Sequence, residues 1–279
     1  RAVRKWANIN DVPVYDEASG KGELRHVVAR SNKAGEVIAV VVTKGPLKYK
    51  EKLISALREG VKGLTCVVHN RNDQNTNVIF GDLFAPIWGK ERLHETICDL
   101  VFDVSAASFL QVNPEQTEKL YREVEALLPG GQEANIVDVF SGTGTITLLA
   151  ARKAKKIIGI ECVADAVADA RRNAEQNGID NAAFICADAA IELPKLVQAG
   201  FSPDTIIVDP PRKGCEPAVI DAMARSGAKD IVYVSCDPAT LARDCKKLCE
   251  AGYAIKSVQP VDMFPQTPHV ETVISLRRV

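Results

Sequence analysis

With 279 residues, 46% hydrophobic and 25% charged, the chain has an ordinary globular composition and room for one large domain or two moderate ones. No apolar run approaches the roughly 20 residues that span a bilayer, and no signal peptide opens the chain, so membrane and secreted classes are set aside and a cytoplasmic setting is expected. The 35 Lys and Arg against 36 Asp and Glu leave a net charge of −1, which counts against an RNA partner because phosphate binders usually carry a basic excess.

The chain begins at Arg1 without an initiator methionine and reads as a piece of a longer protein. Leu24–Arg30 and Val37–Val42 are β-branched runs around a turn at Asn32–Gly35, the pattern of a hairpin. Tyr49–Glu59 is helix-like and stops at Gly60, and Leu64–His69 reads as a further strand. Residues 71–104 read as loop and short strands with turns at Gly81-Asp82 and Gly89-Lys90. The expectation is a small α+β domain over residues 1–90, followed by a larger one over 91–279.

The larger domain has a strong helix start: Asn113 as cap, Pro114 at the first helical position and Gln116 two residues on, with the helix running to about Leu128. From Asn135 onward, apolar runs at Ile136–Phe140, Ile157–Ile160, Ala183–Cys186, Thr205–Val208 and Ile231–Val234 alternate with amphipathic segments such as Val163–Asn177 and Ala239–Ala251. Repeated βα units predict an α/β fold with a mostly parallel, doubly wound sheet. Ala254–Val261 and Val270–Arg278 have no helix between them and are expected to pair as an antiparallel hairpin at one edge. That ending is typical of class I methyltransferases rather than nicotinamide dehydrogenases, by analogy of fold.

Four motifs follow the strands. Asp138-Val139-Phe140-Ser141-Gly142-Thr143-Gly144 leaves a strand and enters a helix, but it lacks the third glycine of a dinucleotide loop. A carboxylate at Asp138 opposes a pyrophosphate and suits a cationic amino-acid moiety. Glu161, at the end of the next strand, is placed for ribose hydroxyls, and Asp188, after the third, for an adenine amine. The three acids in order point to S-adenosylmethionine. Asp209-Pro210-Pro211-Arg212 follows the fourth strand; an aromatic residue in place of Arg212 would instead suggest an amino-methylating enzyme. Cys236, in Ser235-Cys236-Asp237-Pro238, sits at the active edge of the fifth. Glu271 and His269, taken alone, read as an ordinary surface acid and a loop histidine.

The eight cysteines show no CxxC pair or zinc spacing, and most are expected to be small buried hydrophobes. No metal is expected.

Together, Gly22-Glu23-Leu24-Arg25-His26, Phe109-Leu110-Gln111-Val112-Asn113, the glycine loop, Asp209-Pro210-Pro211-Arg212, Ser235–Asp244 and His269-Val270-Glu271 resemble the RNA uracil-5-methyltransferases. The resemblance implies Cys236 as nucleophile and Glu271 as base. Gln111, Phe140, Glu161 and Asp209 would contact the cofactor or the target base, with Asp138, Gly142 and Asp188 completing the cofactor set. It implies a methyl group moved from S-adenosylmethionine to carbon 5 of a uridine in a single-stranded loop, in ribosomal RNA ahead of transfer RNA. Ribosomal-type members carry an N-terminal OB-like domain and iron–sulfur cysteines, and neither lies in this sequence. Arg212 and Lys213 are candidates for phosphate contact. The rival readings are an RNA cytosine-5-methyltransferase, which would usually carry Pro-Cys in the fourth-strand motif, a non-catalytic RNA-binding or assembly factor, and a nicotinamide oxidoreductase.

Overall fold

A computed structural model describes residues 1–108, 111, 113–129 and 133–279. Two compact units form, one from Arg1–Glu95 with Phe102–Ser108 and the other from Thr96–Val101 with Phe109–Val279.

The first unit opens with a helix the sequence reading did not anticipate, α1 (Ala2–Ile9), which buries Val3, Trp6 and Ala7 at helical spacing. The predicted hairpin is β1 (Leu24–Ser31) and β2 (Val37–Thr43), paired antiparallel. Helix α2 (Lys50–Gly60) carries the chain to β3 (Leu64–Arg71), parallel to β2, and β4 (Leu83–Gly89) closes the sheet in the order β1-β2-β3-β4. The unbroken apolar run of β2 is explained by two covered faces. Ala39 and Val41 pack with Trp6, Leu53 and Leu57, whereas Ile38, Val40 and Val42 pack with Cys66, Val68 and Leu93. A two-stranded sheet of β5 (Arg92–Ile97) and β6 (Leu100–Ser105) follows.

The second unit begins with α3 (Pro114–Leu127), whose cap is the predicted one: the Asn113 side chain accepts the Gln116 backbone N–H. The βα units then run β7 (Ala134–Val139), α4 (Thr145–Ala151), β8 (Ala154–Glu161), α5 (Ala164–Gln176), β9 (Ala182–Cys186), α6 (Ala189–Gln198), β10 (Thr205–Val208), α7 (Pro217–Arg225), β11 (Asp230–Ser235) and α8 (Pro238–Glu250). Strands β12 (Tyr253–Val261) and β13 (Glu271–Arg278) form the expected antiparallel hairpin. The sheet order is β12-β13-β11-β10-β7-β8-β9, so β13 lies beside β11 and β12 takes the edge. Strands β7 to β11 pair in parallel, and β13 runs against β11. The order reverses between β7 and β10, and open α/β sheets bind ligands at the carboxyl ends of strands beside such a reversal. Val137, Val139, Ile158, Ile206, Ile231 and Tyr233 anchor the core on one face.

Candidate active site

The loop leaving β7 is held from below. The Phe140 and Ser141 backbone N–H groups both donate to the Ile160 carbonyl at 3.0 Å, and Asn173 Nδ2 donates to the Thr143 carbonyl at 3.1 Å. Phe140 has φ of +67°, a conformation uncommon for a residue with a side chain and characteristic of constrained functional loops. Gly144, at φ +84°, caps α4, and a side chain there would press on the Phe184 ring and Ala170. Asp138 is buried at the end of β7 and accepts the Thr147 hydroxyl at 2.5 Å. Burial pushes its carboxyl up to about 7, the Thr147 bond opposes this, and the charge of Glu161 adds to it. Glu161 spans the neighbouring loop: its Oε2 accepts the Gly142 N–H at 3.0 Å and its Oε1 accepts the Val163 N–H at 2.9 Å.

A cavity of about 400 Å³ opens above these strand ends. Phe140, Glu161, Asp188 and Asp209 line it together with Pro211 and Val219. Asp188 also caps α6, accepting the Ala190 N–H at 2.8 Å. Of the expected cofactor residues, Asp138, Gly142 and Gln111 do not line this cavity. Gln111 is buried ahead of α3; Phe109, Leu110 and Val112 of the same motif lie outside the described residues. Asn113 of that motif also donates to the Met263 carbonyl at 3.2 Å.

Asp209, Cys236 and Glu271 converge at the ends of three adjacent strands, β10, β11 and β13. The antiparallel ladder of β11 and β13 ends at Ser235 opposite Thr272, so Cys236 and Glu271 are the next residues on each side. Burial pushes Asp209 up to about 8, with the charges of Glu271 and Asp138 adding to it. Glu271 is only 2% exposed, and burial raises its carboxyl while Arg212 lowers it. Cys236 is half-buried; burial raises its thiol, Glu271 and Asp209 raise it further, and Arg212 draws it back. These groups stand close enough to feel one another's charge. Lys213, a candidate for phosphate, instead pairs with Glu216 at 2.9 Å.

The sequence profile of the tRNA (uracil-5-)-methyltransferases matches residues 88–279. The chain belongs to this family. A relative described as an uncharacterized RNA methyltransferase of Caldanaerobacter subterraneus subsp. tengcongensis is 48% identical over 280 residues, covering 99% of this chain and 62% of that protein. Another so described, from Clostridium acetobutylicum, is 42% identical over 279 residues, covering 99% of this chain and 61% of that protein. The chain thus spans about three-fifths of the length of these relatives. The crystal structure of the Pyrococcus abyssi tRNA (uracil-54, C5)-methyltransferase with S-adenosyl-L-homocysteine superposes with a TM-score of 0.79 at 33% identity, covering 99% of this chain and 65% of that one. A methyltransferase of Agrobacterium tumefaciens, at 16% identity and a TM-score of 0.56, shares the fold.

Against that family background, two features of the site escaped sequence reasoning. The Ser141 hydroxyl is buried with no hydrogen-bond partner among the described residues. Behind Cys236, Asp244 is fully buried among Tyr233, Arg243 and Cys215. Arg243 and Asp244 were legible as the end of the Ser235–Asp244 match, but the Tyr233 and Cys215 partners of Asp244 lie 11 and 29 residues away. One expectation is corrected: Cys162, Cys186 and Cys249 are exposed and only Cys66, Cys98, Cys215 and Cys245 are buried, because strand ends and the outer face of α8 place the others at the surface.

Proposed function

We propose that this chain is the catalytic part of an enzyme that transfers a methyl group from S-adenosylmethionine to carbon 5 of a uridine in RNA, through a covalent bond between Cys236 and carbon 6. The observation that carries the reading is the meeting of Cys236, Glu271 and Asp209 at three neighbouring strand ends, beside an acid-lined cavity. The cavity volume is in the range of small-molecule sites. Its chemistry suits S-adenosylmethionine: Phe140 offers an apolar wall, Glu161 and Asp188 offer acceptors, and Asp209, once ionised, favours a cation. The unpartnered Ser141 hydroxyl adds a free donor, and a Cβ at Gly142 would stand in open space, which leaves the loop backbone accessible. When bound, the cofactor supplies an electrophilic methyl group.

The residues of the chain supply the rest. The Cys236 thiolate attacks carbon 6 of the uracil ring; the carbon 5–carbon 6 π bond breaks and its electrons form an enolate, which makes carbon 5 nucleophilic. After carbon 5 is methylated, Glu271 takes the hydrogen that remains on it as a proton. The double bond re-forms and the thiolate leaves. Burial suits Glu271 to this work, since a carboxylate held above its ordinary range is a stronger base. The target base must leave its stack to reach Cys236, as a loop uridine can.

The cytosine-5 alternative is disfavoured by Cys215, the cysteine nearest the fourth-strand motif. It is 4% exposed, lies within 3.5 Å of the Tyr233 hydroxyl, and burial pushes its thiol to about 12. The reading is tested by incubating the protein with methyl-labelled S-adenosylmethionine and unmodified ribosomal or transfer RNA, then digesting to nucleosides. Label in 5-methyluridine that disappears with Cys236→Ala supports it. Label in 5-methylcytidine, or none in either RNA, overturns it.

A further inference from the structure

The segment that follows Asp209-Pro210-Pro211 is hydrogen-bonded to α8, the helix that begins just after Cys236, at Arg212, Lys213 and Cys215, with Gly214 packed against it. The Arg212 carbonyl accepts the Thr240 hydroxyl at 3.1 Å. The Lys213 carbonyl accepts Arg243 Nη2 at 2.9 Å. Gly214, at φ +73°, lies so close that a Cβ would stand 2.5 Å from both Arg243 Nη2 and Asp244 Oδ2. The Cys215 N–H donates to Asp244 Oδ2 at 2.8 Å, and its carbonyl accepts Arg243 Nη2 at 3.3 Å. Asp244 itself is fully buried, and it also accepts the Tyr233 hydroxyl from β11 and Arg243 Nε, both at 2.8 Å. A buried carboxylate with three donors is strongly committed to one geometry, because loss of any donor leaves charge uncompensated.

None of these tethering side chains lines the cavity or neighbours Cys236 in the chain. Arg212, by contrast, is exposed, and its side chain has no hydrogen bond or ion pair among the described residues. Its charge nevertheless reaches Cys236, Asp237 and Glu271.

We propose that Arg243 and Asp244 are positioning residues, a clamp that fixes the Arg212–Cys215 segment to α8 and so holds the Arg212 guanidinium beside Cys236 and Glu271. The proposal rests on the reading of Cys236 as the reacting thiol. Its test uses thiol alkylation and needs neither RNA nor methyl transfer, so failure of one is distinguishable from failure of the other.

The experiment follows the rate of iodoacetamide modification of Cys236 against pH by peptide-resolved mass spectrometry, which separates it from the other seven cysteines. Loss of the nearby cation moves the alkylation midpoint up, so Arg212→Met should raise it by about half a pH unit, or roughly threefold slower alkylation near neutral pH. Arg243→Met should raise it as far, and Arg212→Met with Arg243→Met no further. Thr240→Val, which removes only the tether to the Arg212 carbonyl, should give a smaller rise. Arg243 is half exposed, so its removal spares the core, and Arg243→Lys, which cannot fork to both carbonyls, should not restore the profile. If Arg243→Met and Thr240→Val leave the midpoint where it was while Arg212→Met moves it, the clamp does not set Arg212 and the proposal falls. Equal and additive rises from Arg212→Met and Arg243→Met overturn it as well.

Discussion

Cys236 and Glu271 divide the proposed chemistry between them, and the two variants separate the halves. Cys236→Ala should retain cofactor affinity and lose both methylation and adduct. Glu271→Gln keeps the shape of a buried side chain but cannot take the proton at carbon 5. It should therefore slow turnover by roughly 10²–10⁴-fold and accumulate a methylated protein–RNA adduct visible on a denaturing gel. Normal turnover by Glu271→Gln contradicts the base assignment. Asp209 makes a further prediction. Its carboxyl titrates near 8 when folded, against an ordinary 3.8, so the folded chain holds a proton that the unfolded chain has released. Stability from this group is fully present below the ordinary value and is lost as pH rises through the folded one. Asp209→Asn should accordingly raise Tm at about pH 8.5 by several degrees, on the order of 1–3 kcal/mol, and by less at about pH 5. Equal effects at both pH values would contradict the assigned burial. Taken alone in the sequence Glu271 reads as an ordinary surface acid, and only the family resemblance implied a base; the pairing of β13 beside β11 is what buries it, and that neighbour is not adjacent in the chain.

At the scale of elements, the readable parts were those with local signals. The cap of α3, the strand runs of the second unit and the closing hairpin each follow from periodicity and turn residues within a dozen positions. Helix α1 was missed because eight residues with three buried side chains make a weak pattern, and its stability comes from packing on α2 and the first unit's sheet. The insertion of β13 between β11 and β12 is a long-range choice that no local pattern carries. The glycine loop also depends on contacts outside its own motif. A Cβ at Gly159, in β8, would stand 2.7 Å from the Phe184 ring and 2.9 Å from Ser141 Cβ. Gly159→Ala should therefore cost about 1–3 kcal/mol and weaken cofactor binding by displacing Ser141, as read by thermal melting and calorimetric titration. An unchanged affinity would show that the loop does not lean on β8.

Across the whole molecule, a net charge of −1 gave little hint of the proposed RNA substrate, and the acids of the site contribute to that balance. Glu161, Asp138, Asp209 and Glu271 form a row of acids across neighbouring strand ends, and burial displaces Asp138, Asp209 and Glu271 upward. A cationic ligand favours the ionised forms of Asp138 and Asp209, which titrate near 7 and 8. S-adenosylmethionine should thus bind roughly tenfold more tightly at about pH 8.5 than at about pH 6, with proton release. S-adenosylhomocysteine, which lacks the sulfonium charge, should show a flatter profile; identical profiles would contradict the role given to these acids.

The most direct test of the account is to mix the protein with S-adenosylmethionine and RNA carrying 5-fluorouridine, and to resolve the products on a denaturing gel. Fluorine at carbon 5 cannot be removed as a proton, so the account predicts a stable methylated protein–RNA adduct joined through Cys236 and absent with Cys236→Ala. An adduct that persists in Cys236→Ala, or free RNA alone when ribosomal and transfer RNA have both been offered, would contradict it.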